Sequence, residues 1–405
     1  MKKFLQTRRE KFSKHLKNGE MAIIFANFAQ VYPRYFLQEN NFFYLTGLDE
    51  PDLIFLAVKF NGETVFKLFV QRTIPERVVW EGKKISPEKA SELSGIKEVK
   101  YLDEFESVAS SYLASASVCY LNNLNSSYNA LLNKSQNFVQ MAKKTFYNIT
   151  FKDIYPIMSK LRAVKDKVEI ENLRKAIDAT RLGIESIYEN AKAGMHEYEL
   201  EAMLIYEINR KGLKHLGFKS IVAAGHNATT LHYEKNRDKI KKGSLVLLDV
   251  GAKYQNYSAD ISRTFPIEKD FSPRQKDIYA GVLSVQKAII NEVKPGIGLM
   301  DLQNKTKKLL TEVLIDLKLI KSDKELSKYY MHGVSHHLGM DTHDIVGRNS
   351  ILEKGNVITV EPGLYIPEES IGVRIEDDIL VTKNGFEVLS AAIPKEIEEL
   401  KGFRK

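Results

Sequence analysis

The chain has 405 residues, 43% of them hydrophobic and 28% charged, with a formal net charge of +8. That makeup is ordinary for a soluble globular protein, and the length exceeds what one typical core organises, so two domains are expected. No run approaches the roughly 18 consecutive apolar residues of a membrane helix, and Cys119 as the sole cysteine excludes an intramolecular disulfide and a thiolate-rich metal site.

The N-terminal stretch MKKFLQTRREKFSKHL is basic but lacks the apolar centre of a secretory signal, so it reads as the first helix of a folded domain. Together with the cysteine usage this points to a reducing, cytoplasmic setting. The lysines are interleaved with acidic residues, as in RREK, EGKK and KEIEELKG. Such a distribution describes a solvated surface and gives no reason to expect a nucleic-acid or membrane partner. In chain order, Met21–Phe25, Phe42–Leu45, Leu53–Val58 and Val65–Val70 read as strands with helices between and after them, a small α/β domain over residues 1–152. Asn122–Asn133, rich in Asn, Ser and Leu, yields no clear element. From about Asp153 to Asn190 the period becomes helical, with many oppositely charged neighbours four residues apart. Residues 153–167 therefore read as a linker helix region and 168–405 as a second domain. Glu197–Lys211 reads as a helix ended by Gly212, and Ser272–Glu292 and Leu299–Leu317 as two more. A helix pair followed by a β-hairpin thus occurs twice, the signature of an internally duplicated α+β domain.

Both hairpins carry acids. In LVLLDVGAKYQNYSADISRTFP, residues 245–266, a four-residue loop at Lys253–Asn256 would set Ala252 against Tyr257 and Asp249 against Asp260. Directly opposed side chains have Cβ atoms only about 4.5–5.5 Å apart, and two bare carboxylates at that distance must share a proton or bind a cation. In VITVEPGLYIPEESIGVRIEDDILV, residues 357–381, a loop at Pro367–Ser370 sets Glu361 against Glu376, with Asp377 and Asp378 as rival candidates. Four converging carboxylates call for about two divalent cations. MHGVSHHLGMDTHD, residues 331–344, holds His332, His336, His337 and His343, four of the nine histidines, and is a source of an imidazole ligand. His232 lies in a loop or strand end before Asp249, and HEYEL at 196–200 lacks the second histidine of a zinc helix. An oxygen-rich site with one imidazole suits manganese, cobalt or zinc over copper or an iron–sulfur cluster.

With these motifs assembled, the chain resembles the proline-specific, metal-dependent aminopeptidases of the pita-bread fold, and the aminopeptidase P (Xaa-Pro aminopeptidase) family most closely. The resemblance runs over nearly the whole chain and rests on FLQENNFFYLTGLDEPD, KLRAVKDKVEIENLRKA, LLDVGAKYQNYSADISRTF, MHGVSHHLGMDTHD, ITVEPGLY and GVRIEDDI. It implies an α/β N-terminal domain ahead of a creatinase/aminopeptidase-like catalytic domain. It implies two divalent metal ions per subunit, manganese first, held by Asp249, Asp260, His336, Glu361 and Glu376, with Asp260 and Glu376 bridging. It gives substrate-side roles to His232, His343, Arg374, Tyr365 and Arg348. His337 stands where the family usually has an apolar or aromatic residue, and Trp80 matches an N-domain tryptophan that can approach an active site in oligomeric relatives, so a homodimer or homotetramer is expected. The implied reaction releases the first residue of peptides with proline second. A metal-activated water attacks the carbonyl, Glu361 shuttles the proton, and His343 supports the oxyanion. The alternatives are a prolidase on the same metal set and a non-catalytic binding module.

Overall fold

A computed structural model describes residues 2–29, 35–123, 132–346 and 351–403. The chain separates into two compact units, Met1–Leu161 and Arg162–Lys405. Among the described residues no helix is long and apolar enough to cross a membrane.

The first unit is built on one six-stranded sheet made of β1 (Glu20–Phe25), β2 (Ile54–Phe60), β3 (Glu63–Val70), β4 (Glu98–Tyr101), β5 (Val118–Leu121) and β6 (Thr150–Asp153). Their order is β4-β3-β2-β1-β5-β6, with antiparallel pairing of β1 to β2 and β2 to β3 and parallel pairing elsewhere. The apolar residues of β1, among them Met21, Ile23 and Phe25, pack with Leu56, Val58 and Phe69. Cys119 lies in the same core, where burial pushes its thiol up, so it is chemically inert. Phe42–Leu45, expected as a strand, is instead the middle of the helix Asn40–Thr46. Phe42 through Leu45 are all buried, so the segment shows no helical period in its sequence. The ends decide it. The Glu39 carboxylate accepts the Phe42 backbone N–H at 2.6 Å, and Gly47 closes the helix in the left-handed region at φ 66°, where a side chain is disfavoured.

The helical stretch expected from 153 to 190 is interrupted. Tyr155–Ala163 and Lys167–Asn190 are separate helices. Asp166 starts the second by accepting the backbone N–H groups of Val168 and Glu169 at 2.8 and 3.0 Å, a capping geometry that ends any run entering from before it. In the second unit the helices Lys167–Asn190 and Glu197–Arg210 precede one set of strands, and Pro273–Ile290 and Leu299–Asp316 precede another, which is the duplicated α+β order expected. The first set is β7 (His215–Leu216), β8 (Ile221–Ala224), β9 (Leu245–Val250), β10 (Ala252–Tyr254), β11 (Tyr257–Ser258) and β12 (Ile261–Pro266). The second is β13 (Val357–Val360), β14 (Gly363–Ile366), β15 (Ile371–Arg374), β16 (Asp377–Val381) and β17 (Phe386–Val388). The HEYEL segment is structural. His196 precedes the helix, and the buried Glu197 accepts the Tyr233 hydroxyl at 2.8 Å and the backbone N–H of Ala224 and Asp238.

Candidate active site

The first hairpin turns one residue later than its sequence suggested, which displaces each cross-strand partner by two. Tyr254 pairs with Tyr257 and Lys253 with Ser258, so Gln255 and Asn256 alone form the turn, at φ 48° and 66°. Positive φ at both positions is the type I′ geometry that matches strand twist. The register moves accordingly. Asp249 lies opposite Ser262, not opposite Asp260, and Asp260 falls level with Gly251. A shift of two preserves the face of every side chain, so Asp249 and Asp260 remain diagonal neighbours on one surface. Gly251 is required there: a Cβ would sit 1.9 Å from the Ala259 carbonyl oxygen.

The second hairpin keeps the expected register on both sides of its centre. Val360 pairs with Asp377 and Gly363 with Arg374, which sets Glu361 level with Glu376. Pro362 has no N–H to give and interrupts the ladder, yet its carbonyl still accepts the Ile375 N–H at 3.3 Å. The two hairpins meet through the Glu376 N–H, which donates to the Ser262 carbonyl at 3.0 Å. The histidine segment is laced to β13 in turn. Thr359 N–H donates to the His336 carbonyl and Leu338 N–H to the Val357 carbonyl, each at 2.9 Å.

These connections converge three donor types. Asp260, His336 and Glu376 each present an atom within 4.8 Å of the others'. His336 Nε2 lies 3.3 Å from Asp260 Oδ2 and 3.4 Å from Glu361 Oε1. Its Nδ1 is 3.0 Å from the His337 carbonyl, an acceptor only, so Nδ1 carries the proton and the Nε2 lone pair faces the carboxylates. Asp249 Oδ1 and Glu376 Oε1 are buried without a hydrogen-bond partner among the described residues. Burial first, and neighbouring carboxylates next, drive the Asp260 and Glu376 carboxyls well above their ordinary range. Glu361 is raised to about 7 by burial, with His336 opposing and Asp260 reinforcing. Lone pairs facing lone pairs, with orphaned carboxylate oxygens beside them, fit a divalent cation site.

A hydrogen-bonded frame surrounds this cluster. Arg374 donates to Asp249 Oδ2 at 2.6 Å, to Ser262 Oγ at 2.8 Å and to the Tyr365 hydroxyl at 2.9 Å, and Ser262 Oγ donates to Glu376 Oε2 at 2.8 Å. The Tyr365 oxygen is 2.9 Å from His332 Nε2, and His332 Nδ1 is 2.8 Å from the Gly333 carbonyl. Tyr365 therefore donates to a neutral imidazole, in keeping with burial lowering His332 to about 4. Thr359 Oγ1 donates to Glu361 Oε1 at 3.3 Å. The His343 ring centroid is 4.3 Å from that of His336, and burial lowers its pKa. His232 and His343 both line a cavity of about 700 Å³ that also contains Asp249, Glu361, Arg374 and Glu376, a volume suited to a short peptide. Arg348 lies outside the described residues. His337 is buried and held neutral, its pKa lowered to about 4 by burial and then by Lys165. Trp80 is exposed.

Ser262, Thr359 and the frame role of His332 were not anticipated. Ser262 and Thr359 each stand two residues from an expected acid in strand-like sequence, and period-two alternation places them on its face. The rival acids separate. Asp377 binds Arg263 at 2.7 Å and also Lys395, and serves structure, while Asp378 Oδ2 accepts the Asp260 N–H at 3.3 Å. A second network, in which all but Asp341 are buried, links Arg162 Nη2 to Asp341 and Asp344 at 2.6 Å each and Lys165 Nζ to Asp344 at 3.0 Å, and anchors the loop that carries His343. Burial alone would raise the Asp344 carboxyl, but Arg162 and then Lys165 outweigh it and hold it below the usual range. Its contribution to stability is therefore present above about pH 4 and lost as pH falls through the depressed value. Asp344→Asn is expected to cost about 3–5 kcal/mol at pH 7, because the buried Lys165 loses its ion pair and the buried Arg162 one of its two. The difference from wild type should narrow below about pH 4, as urea denaturation across pH would report.

Residues 171–383 match the model of metallopeptidase family M24, and residues 5–120 match the aminopeptidase P N-terminal domain. The chain is 33% identical over 384 residues to the Xaa-Pro aminopeptidase of Haemophilus influenzae, covering 90% of this chain and 87% of that protein. It superposes on a provisionally assigned aminopeptidase P from Bacillus anthracis with a TM-score of 0.96 at 43% identity, over 99% of this chain and 98% of that one. Zinc-substituted Escherichia coli aminopeptidase P, solved with product, gives 0.91 at 30% identity over 100% and 98% of the two chains. From its N-terminal sheet to its duplicated pita-bread unit, this chain belongs to metallopeptidase family M24 and, within it, to the Xaa-Pro aminopeptidases.

Proposed function

We propose that the protein is a metal-dependent hydrolase that removes the first residue from peptides with proline in the second position. The convergence of Asp260, His336 and Glu376 within 4.8 Å, inside a cleft of peptide size, carries this reading. Asp249, Asp260, His336, Glu361 and Glu376 would hold two divalent ions, manganese first among them and cobalt or zinc as substitutes. Such ions supply Lewis acidity toward the carbonyl and a water acidic enough to act as nucleophile at neutral pH. The chain's own groups do the rest. Glu361 takes the proton and delivers it to the departing prolyl nitrogen. His343 donates toward the carbonyl oxygen as negative charge develops there. His232 orients the peptide, and Asp249 receives its free amine. Arg374 donates to Asp249 from one nitrogen and to the Tyr365 hydroxyl from another, so the guanidinium is fixed and steadies the carboxylate. Arg348 belongs to the proposed substrate contacts on the resemblance alone, as does a homodimer or homotetramer. A cytoplasmic setting is supported by the buried, lone Cys119.

An Xaa-Pro bond lacks a backbone N–H and has a restricted conformation, so general peptidases cut it poorly and a dedicated cleft has a niche. With manganese supplied, Ala-Pro-Ala should be cleaved between the first two residues, and Ala-Ala-Ala at least about 100-fold more slowly. Turnover of Ala-Pro with none of Ala-Pro-Ala would instead indicate a prolidase.

A further inference from the structure

Lys253 is a cation of the cleft that the proposed reaction leaves unused; Lys219, which also lines it, is paired with Glu234 at 2.8 Å. Lys253 stands on β10 between Ser258 and His215, and the constant register puts it on the same face as Asp249 and Asp260. Four residues of strand separate it from Asp249, about 13 Å along the backbone, a span its long side chain shortens. Its residue is only 8% exposed, yet it lines the cavity together with Phe218, Asp341 and Thr342.

A lysine so largely covered ordinarily finds a partner for its ammonium, and here the group is open only toward the cleft. The backbone of Lys253 is paired in the ladder, but its ammonium has neither a hydrogen bond nor an ion pair to a side chain among the described residues. The nearby carboxylates are engaged elsewhere: Asp344 by Arg162 and Lys165, Asp341 by Arg162. Arg162 repels Lys253 while Asp341 and Asp344 attract it from a distance, and burial disfavours its charge. With Arg162 and Lys165 bound to Asp341 and Asp344, this wall of the cleft leaves the Lys253 ammonium without a direct ion pair. A water or a peptide carbonyl could accept its hydrogen bond but would leave that charge uncompensated, whereas a carboxylate answers both needs. The same wall is joined to His343 through Thr342, whose hydroxyl donates to the Gly217 carbonyl at 3.2 Å. Lys253 thus lines the same cavity as Asp249, Asp260 and His343.

We propose that Lys253 is a specificity-determining residue whose ammonium receives a carboxylate carried by the peptide. This rests on the cleft being the peptide site. The carboxylate has two sources, an acidic first side chain or the C-terminus of a short peptide, and matched pairs separate them. Full-length, manganese-loaded protein is assayed with Glu-Pro-Ala-amide against Gln-Pro-Ala-amide, and with Ala-Pro-Ala against its amide. In wild type the charged member of one pair should have a kcat/KM about tenfold higher or more. Lys253→Met and Lys253→Gln, two neutral replacements that guard against one failing to fold, should bring that ratio to about one, and Lys253→Arg should restore part of it. A structural role would lower all four substrates together and leave both ratios unchanged, which overturns the proposal. If no Xaa-Pro peptide is cut, the functional reading fails by itself. Calorimetric binding of the same peptides to wild type and Lys253→Met then still decides the role of Lys253, a charge preference that the variant loses supporting it and equal affinities rejecting it.

Discussion

Asp260→Ala and Glu376→Ala are each expected to abolish hydrolysis of Ala-Pro-Ala, by at least about 10⁴-fold, and to lose bound metal in the same step. Both acids are buried, and each is destabilised as an anion by its burial and by its neighbours. A cation is what makes their ionised forms tolerable. Removing either leaves His336 Nε2 and the remaining carboxylates with too few donors to compensate stripping a divalent ion of its water. Asp260 also sits where its backbone N–H is held by Asp378, so alanine there preserves the strand and removes only the donor. Elemental analysis of the purified variants beside a peptide assay reads both effects. Retained metal with lost activity, or retained activity, would show that the ion is held by other residues.

Glu361→Gln is expected to separate what those alanine variants remove together. Glutamine keeps the volume and one carbonyl oxygen, so the contact from Thr359 Oγ1 survives and a fraction of the metal should remain. Proton transfer should not survive, because an amide neither accepts a proton from water nor delivers one to the prolyl nitrogen. The loss should fall on kcat, by about 10²–10⁴-fold, with KM little changed. Steady-state kinetics on metal-replete protein checks this. A rise in KM at constant kcat would make Glu361 a binding group only.

Much of this site was legible in the chain because side-chain period in strands is so strict. Glu361 and Glu376 were placed opposite each other from loop position alone, and the ladder agrees on both sides of Pro362. Asp249 and Asp260 were assigned to one face even though their pairing was displaced, since a displacement of two does not change the face. The turn itself was missed because Gln-Asn carries none of the glycine that marks a two-residue hairpin. Phe42–Leu45 was misread because an apolar segment buried on every side has no period, and its helix is specified by the flanking Glu39 and Gly47. Ser262, Thr359 and the Arg162–Asp344 anchor were not seen, because a hydroxyl or an ion pair acquires its role only when distant segments meet. Arg162 and Asp344 are 182 positions apart.

The bond from the Glu376 N–H to the Ser262 carbonyl bears on when the site can exist at all. Residues 262 and 376 are 114 positions apart, and the intervening chain contains the helices Pro273–Ile290 and Leu299–Asp316 and the histidine segment. Closing so long a connection is entropically costly and slow compared with forming either hairpin. During folding each hairpin can form early with its own acids, but neither by itself has the opposing wall or the imidazole. Tight metal uptake is therefore expected only after the two hairpins have met, since the first hairpin alone offers a single pair of acids.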